Sequence, residues 1–310
     1  MDVRSQHRFA RPLPLELSDG DYGLTLDDWL RSLDLTDDQR QRVLVPWVSA
    51  LISGQAAQGR QMSARAALSF VTLALRGSPL DPIRYHTLTP GMGEALRRMV
   101  AATRGLTVRS GAAVEAIGRD GAAYTIVAGA TRATVDVLVL AVPGYAAAAL
   151  LADVRGTDAR RSALAGVEYF DARIALHRDP AFAPADPRHR SYFNVVADGD
   201  NCEASISLAH ALRPLPDGTP VDLWKSWVTH RAMPREVVHA AGFRHMLPTP
   251  ATIAAQSSLR ALQGDGRIYV VGGYTRPYDA QETALLSALE VARGLGVDSA
   301  HARALEAPAA

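Results

Sequence analysis

The chain has 310 residues, of which 48% are hydrophobic, enough to bury a substantial core in one large or two modest domains. Its 33 basic and 32 acidic residues nearly cancel, which argues against recruitment of nucleic acid or an anionic membrane by charge. The single cysteine, Cys202, excludes an internal disulfide and a multi-cysteine zinc site, and it favours the cytoplasm. We find no signal peptide and no apolar stretch of the roughly 18–20 residues that a membrane span needs.

The first part of the chain is predicted to be helical after an irregular arm at residues 1–20. Thr25 and Thr36 each precede a segment with apolar residues at helical spacing, and Thr36 forms a capping box with Gln39. Further helices are predicted at residues 63–75 and, after Pro90, at residues 93–103.

Strand patterns follow. Short alternating runs at residues 106–109, 113–117 and 124–127 predict a small antiparallel sheet. The continuous apolar run at 135–142, closed by Pro143-Gly144, predicts one buried strand of a parallel sheet. The second half is predicted to contain a helix that begins at Thr249-Pro250 and runs to about residue 262. It also contains predicted strands at 169–177, 192–196 and 204–208, and a loop at 180–187.

A glycine turn near the C-terminus is the strongest functional signal. The hydrophobic run 267–271 ends in Gly272-Gly273-Tyr274-Thr275 and leads into a predicted helix at 279–296. A strand that stops at glycines before a helix presents free backbone N–H groups to an anion or an electron-rich ring edge. A dinucleotide site normally also needs a strand followed by Gly-x-Gly-x-x-Gly, and the nearest run, Gly91-Met92-Gly93, lacks the third glycine. We therefore expect the chain to hold only part of such a ligand.

In order and spacing, these fragments resemble the C-terminal two-thirds of FAD-dependent oxidoreductases of the amine oxidase and phytoene desaturase superfamily. Within it, the branch of predicted NAD/FAD-binding proteins is the most similar. The resemblance implies an α/β (mixed α+β) fold, with an incomplete FAD-binding domain, a truncated Rossmann module, and a substrate domain of mixed β-sheet plus helices. It is carried by the segments 91–93, 140–143, 176–179, 191–194, 254–264 and 272–275.

The resemblance also implies domain limits. The helical part of the substrate domain would cover residues 21–105 and its sheet part 151–262. The remnant of the FAD domain would cover 106–150, its last strand and helix 263–300, and a tail 301–310.

The same resemblance implies which residues contact FAD: Val114, Pro143, Gly272, Gly273, Thr275, Gln281 and Glu282. Gly273 stands where the family usually has an acidic residue, so the FAD site in this chain is expected to be incomplete. No catalytic side chain can be named. We expect no metal site, because the nine histidines lack ligand spacing. His177 is interpreted as an ordinary core or surface histidine, and Lys225, flanked by Trp224 and Trp227, as part of ordinary packing.

The function implied is that of an FAD-dependent oxidoreductase component, which removes hydride from an amine or from an unsaturated, lipid-like small molecule. It would need a Rossmann module from a second chain, or form a homodimer, because the strands at 135–142 and 268–271 would otherwise leave edges unpaired. Two alternatives stay open: a non-catalytic substrate-binding module, and a truncated remnant of a flavin oxidase.

Overall fold

The computed structural model describes residues 22–75, 88, 91–210, 212–297, 300 and 303. The predicted arm at 1–20 and nearly all of the predicted tail lie outside these residues. Both predicted caps are confirmed: Thr25 Oγ1 accepts the N–H of Asp28 at 3.1 Å, and Thr36 and Gln39 exchange the two bonds of a capping box. The helical part consists of α1 (Leu26–Ser32), a π-helix (Gln39–Leu44), α2 (Val45–Ile52), α3 (Ala56–Gln61) and α4 (Ala64–Leu75).

A three-stranded antiparallel meander follows helix α5 (Met92–Ala102). Its strands are β1 (Ala116–Asp120), β2 (Ala123–Ala128) and β3 (Thr131–Val135). The prediction of a strand at 106–109 is wrong, because this segment is irregular and exposed. Although its apolar and polar residues alternate, the segment pairs with no strand in the described part of the chain.

A parallel pair, β4 (Leu138–Leu140) with β10 (Ile268–Val270), joins distant parts of the chain in the register Leu138 to Ile268. The prediction of one buried strand at 135–142 is wrong, because the run serves two sheets. Val135 pairs with Tyr124 in the meander, and the chain then turns into β4. Hydrophobicity alone does not reveal such a change of partner. Helices α6 (Gly144–Leu150) and α7 (Asp158–Ala165) follow β4.

The largest sheet consists of five strands: β5 (Tyr169–His177), β6 (Phe193–Asp198), β7 (Asn201–Ser207), β8 (Trp224–Trp227) and β9 (Val237–Met246). They are antiparallel and lie in the order β6-β7-β8-β5-β9. The prediction at 169–177 is confirmed to the residue, whereas β8 and β9 had no strand prediction. Helix α8 (Pro250–Ala261) begins at its cap Thr249 as predicted, and helix α9 (Gln281–Gly294) follows β10.

Two hydrophobic cores hold these elements. The first packs one face of the β4–β10 pair, with Leu138, Leu140, Ile268 and Val270, against α6, α7 and α8. Two three-residue strands are too short to be stable alone. Each buried aliphatic side chain contributes about 1.5–3 kcal/mol, so the burial of this face holds the pair in place. The second core lies among α1 to α4 and reaches the five-stranded sheet at Cys202. The predicted mixed α/β architecture is confirmed. In the described part of the chain, no helix has the length and apolarity to cross a membrane.

Candidate functional site

Both strands of the parallel pair end in a glycine turn that leads toward a helix. Strand β4 runs into Pro143-Gly144 before α6, and β10 runs into Gly272-Gly273-Tyr274-Thr275 ahead of α9. The carboxyl ends of parallel strands share one edge of the sheet, which is the usual ligand position in such sheets. The two turns are in contact, since a Cβ atom on Gly144 would lie 3.4 Å from the Tyr274 ring.

Aromatic rings surround the first turn. Tyr169 Oη accepts the backbone N–H of Gly144 at 2.9 Å. Burial raises the pKa of Tyr169 to about 12, so the phenol stays protonated at neutral pH. Tyr145 meets Tyr169 edge to face with 5.1 Å between ring centroids, and the Arg244 guanidinium lies 4.6 Å from the Tyr145 centroid. At the first turn, Tyr169 therefore holds the backbone in place and the Arg244 guanidinium lies over the half-exposed ring of Tyr145.

Internal hydrogen bonds make the second turn rigid. Gly272 has φ of 139°, a conformation that favours glycine, and its N–H donates to Ser287 Oγ at 2.9 Å. The Gly272 carbonyl accepts the Thr275 hydroxyl at 2.8 Å. Gln256 of α8 donates to the Tyr274 carbonyl at 3.0 Å. The hydroxyl of Thr275 is consequently engaged by the turn itself.

Two groups in the second turn bear on ligand binding. The Tyr274 hydroxyl is buried without a hydrogen-bond partner among the described residues, and burial raises the pKa of Tyr274. A buried phenol of this kind normally finds a partner. Gly273 is buried, and any Cβ atom there would collide with Asp279 Oδ1 and lie 3.1 Å from Asp279 Cγ. The Asp279 side chain therefore explains why residue 273 is a glycine, and the Tyr274 hydroxyl is left with an unmet hydrogen bond.

The predicted FAD-contacting residues are only partly brought together. Pro143, Gly272, Gly273 and Thr275 lie in the two adjoining turns. Gln281 and Glu282 are the exposed first residues of α9, and Val114 is 39% exposed just before β1. Contact of these last three side chains with a cofactor remains a prediction.

Sequence reasoning missed the aromatic residues of the site. A signal was available, because each glycine turn is followed at once by a tyrosine, in Gly144-Tyr145 and Gly273-Tyr274. Tyr169 and Arg244 gave no such local signal, because the antiparallel pairing of β5 with β9 brings their part of the sheet to the turn.

His177 belongs to a buried structural network and has no catalytic arrangement. Its Nδ1 accepts the backbone N–H of Asp179 at 3.1 Å, which leaves Nε2 as the donor to Ser226 Oγ at 2.9 Å. Burial lowers the pKa of His177, so the ring is neutral and cannot take the serine proton through Nε2. Ser226 donates onward to Ser205, which also accepts from Arg231. Among the described residues, no cluster of three potential metal ligands occurs.

The geometry of the two turns suits the flat ring end of a flavin. The backbone of the second glycine turn and the buried Tyr274 phenol lie at this edge of the sheet and can line an electron-rich ring edge. A whole dinucleotide also needs a glycine-rich turn for its pyrophosphate, and the sequence has no Gly-x-Gly-x-x-Gly run. The residues present thus fit part of an FAD molecule.

Comparisons with known proteins agree with this geometry. Residues 23–171 match the family model described as flavin containing amine oxidoreductase. A putative protoporphyrinogen oxidase from Exiguobacterium sp. 255-15 has a similar structure, with a TM-score of 0.59 and 14% identity over 94% of this chain and 73% of that one. Cyclohexylamine oxidase from Brevibacterium oxydans IH-35A has a TM-score of 0.54 and 13% identity over 88% of this chain and 68% of that one.

A fatty acid isomerase from P. acnes that produces CLA has a TM-score of 0.56 and 11% identity, over 88% of this chain and 67% of that one. A search of curated proteins found no match. The family match begins in the helical part and runs through the meander and β4 into β5, and the solved structures share the fold over nearly the whole chain. The family match over residues 23–171 and the shared fold support the assignment of this chain to the superfamily of flavin-containing amine oxidoreductases.

Proposed function

We propose that this chain is a component of an FAD-dependent oxidoreductase and that its described residues hold the ring end of the flavin. The contact between the two glycine turns, with the unpartnered Tyr274 hydroxyl beside them, carries the proposal. A separate dinucleotide-binding module would hold the pyrophosphate and the adenosine.

Each residue of the turns would have a defined task. Gly144 lets the first turn pack closely against Tyr169 and Tyr274. Gly273 leaves room for Asp279, and Tyr274 offers a hydroxyl donor. Tyr169 and Gln256 hold the two turns in place through the Gly144 N–H and the Tyr274 carbonyl. When bound, FAD supplies hydride transfer, and the protein supplies orientation and exclusion of water. Such chemistry requires no acid or base from the protein, in keeping with the lack of an identified catalytic side chain.

The substrate class is proposed from the neighbours. Cyclohexylamine oxidase acts on an amine by its name, and the P. acnes enzyme on a fatty acid. We therefore propose that the substrate is either an amine or an unsaturated, lipid-like molecule, since a flavin can remove hydride from either one.

Helix α5 supports the need for a second module. Its apolar side chains stand at positions i, i+4, i+7 and i+8, which form one helical stripe. No residue of α5 is buried, and the exposed fractions range from 43% to 62% across Met92, Leu96, Met99 and Val100. An apolar stripe as exposed as this usually marks an interaction surface. We assign it to the dinucleotide-binding module, because that is the part of the site for which the sequence shows no glycine-rich run.

Gel filtration of the chain after incubation with excess FAD tests the proposal. The flavin is expected to separate from the protein, since the proposal assigns the pyrophosphate contacts to a separate module. Flavin that co-elutes with the lone chain in a one-to-one amount would show that the chain holds the whole cofactor. A stable homodimer that retains flavin would show that a second copy takes the place of the module.

A further inference from the structure

One face of the five-stranded sheet carries a cation among apolar side chains. Leu176 of β5 pairs with Lys225 of β8, Ile174 with Trp227, and Lys225 also pairs with Ile206 of β7. Side chains alternate along a strand, so these five residues project from the same face, here called the lysine face. All five are half-buried.

Among the residues that the structure describes, Lys225 has no counter-ion on this face. Its Nζ lies 4.7 Å from the centroid of the Trp227 ring, a cation–π contact, and no described carboxylate forms an ion pair with it. Burial lowers the pKa of Lys225, as expected for an ammonium group that has lost water without gaining an anion. Lys225 is also the only lysine of the chain.

Trp227 adds a second unmet group. Its indole Nε1 is buried and has no hydrogen-bond acceptor among the described residues. An indole N–H can only donate, and leaving a buried donor unpaired costs about 1–3 kcal/mol. The lysine face thus offers one ammonium and one N–H donor and lacks an acceptor for either.

We propose that Lys225 and Trp227 bind the carboxylate of a small molecule whose aliphatic part lies on Ile174, Leu176 and Ile206. A carboxylate carries one negative charge and two acceptor oxygens, which match one cation and one N–H group. A phosphate group has more acceptor oxygens and more negative charge than a carboxylate, so its binding would require more hydrogen-bond donors and more positive charge. Residues of one strand that are an odd number of positions apart project from opposite faces of the sheet. Tyr169 is an odd number of positions from both Ile174 and Leu176 in β5, so this site lies on the opposite face from Tyr169. It therefore does not depend on the proposed flavin site.

The single lysine makes a direct test possible. Reductive methylation with ¹³C-formaldehyde keeps the positive charge and labels only Lys225 and the N-terminal amine. Decanoate should shift the Lys225 signal in the ¹³C spectrum and leave the N-terminal signal in place. The matched alcohol, 1-decanol, and sodium phosphate should not shift it. Equal shifts with decanol, a shift with phosphate alone, or no shift with decanoate would overturn the proposal.

Variants separate the charge from the packing. Lys225→Met should weaken decanoate binding about tenfold or more in calorimetry, because it removes a charge-assisted hydrogen bond. Lys225→Arg should keep most of the affinity, and Trp227→Phe should lose part of it. The matched control is Arg178→Met, which removes an exposed positive charge just beyond β5. Full affinity in Lys225→Met would contradict the site. If Lys225→Met does not fold, the affinities of Lys225→Arg and Trp227→Phe and the titration of the labelled parent protein still test the proposed carboxylate site.

Discussion

Gly273 lies between β10 and α9, where the side chain of Asp279 folds back over it. Its φ is outside the left-handed region, so backbone conformation does not require glycine at this position. The reason is steric, since the Asp279 carboxylate occupies the space of a Cβ atom. The sequence predicted a glycine turn here, but it did not reveal this reason, because only the folded chain brings Asp279 onto Gly273.

Gly273→Ala should lower the free energy of unfolding by about 0.5–1.5 kcal/mol, because the exposed Asp279 side chain must leave its present rotamer to make room for the new Cβ. Adding Asp279→Ala should recover most of the loss, because the nearest remaining backbone atom, Asp279 Cα, is 3.4 Å from the new Cβ. Urea denaturation of both single variants and the double variant measures this coupling.

Gly93→Ala is the control, since nothing lies within 4 Å of a Cβ there and the residue is inside α5. It should be neutral or stabilising by up to about 1 kcal/mol. A Gly273→Ala protein as stable as the parent, or one that Asp279→Ala does not restore, would contradict the steric account.

The outer edge of β10 shows how a side chain can replace a strand. Gln263 accepts the Val270 N–H at 2.9 Å and donates to the Val270 carbonyl at 2.7 Å. The Ile268 carbonyl accepts the N–H of Gly264 at 3.1 Å and the guanidinium of Arg160. The expectation that this strand leaves an unpaired edge is therefore wrong. Strand β4 has β10 as its one neighbour among the described residues, and its Val139 is 43% exposed.

Local signals explain which elements could be predicted from the sequence. The cap at Thr249 and the alternation of β5 are contained in a few adjacent residues, and both elements were predicted well. Strand β9 runs along the sheet edge with most residues exposed on both faces, so it lacks the alternation that marks a half-buried strand. The run at 135–142 is divided between two sheets, and the partner of its second part, β10, is distant in sequence.

Helix α5 provides a test at the element scale. Replacing Leu96 and Met99 with Glu should change the free energy of unfolding by less than about 0.5 kcal/mol, because neither side chain is packed in the described structure. The same change should reduce self-association of the lone chain, measured by sedimentation. Ala101→Glu on the opposite side of the helix is the control and should leave association unchanged. A large loss of stability in the double variant would mean that the stripe is packed within the chain.

At the scale of the whole molecule, the fold places two glycine turns, three tyrosines and an arginine around one edge of a parallel strand pair. Superfamily membership and the mixed α/β fold could be predicted, because the order of short motifs is preserved along the sequence. The position of Tyr169 and Arg244 beside the first turn could not be predicted, because β5 and β9 bring these residues to the turn only in three dimensions. The central claim is that these residues hold the ring end of a flavin and leave the adenosine to another module.

An NMR titration of ¹⁵N-glycine-labelled protein with FMN and, separately, with ADP tests this claim most directly. FMN carries the flavin ring without adenosine, and ADP carries the adenosine without the ring. NMR also detects binding too weak to survive gel filtration. Millimolar FMN should shift the amide signals of Gly144, Gly272 and Gly273, whereas ADP should leave them unchanged. Unchanged signals with FMN, or equal shifts with ADP, would contradict the account.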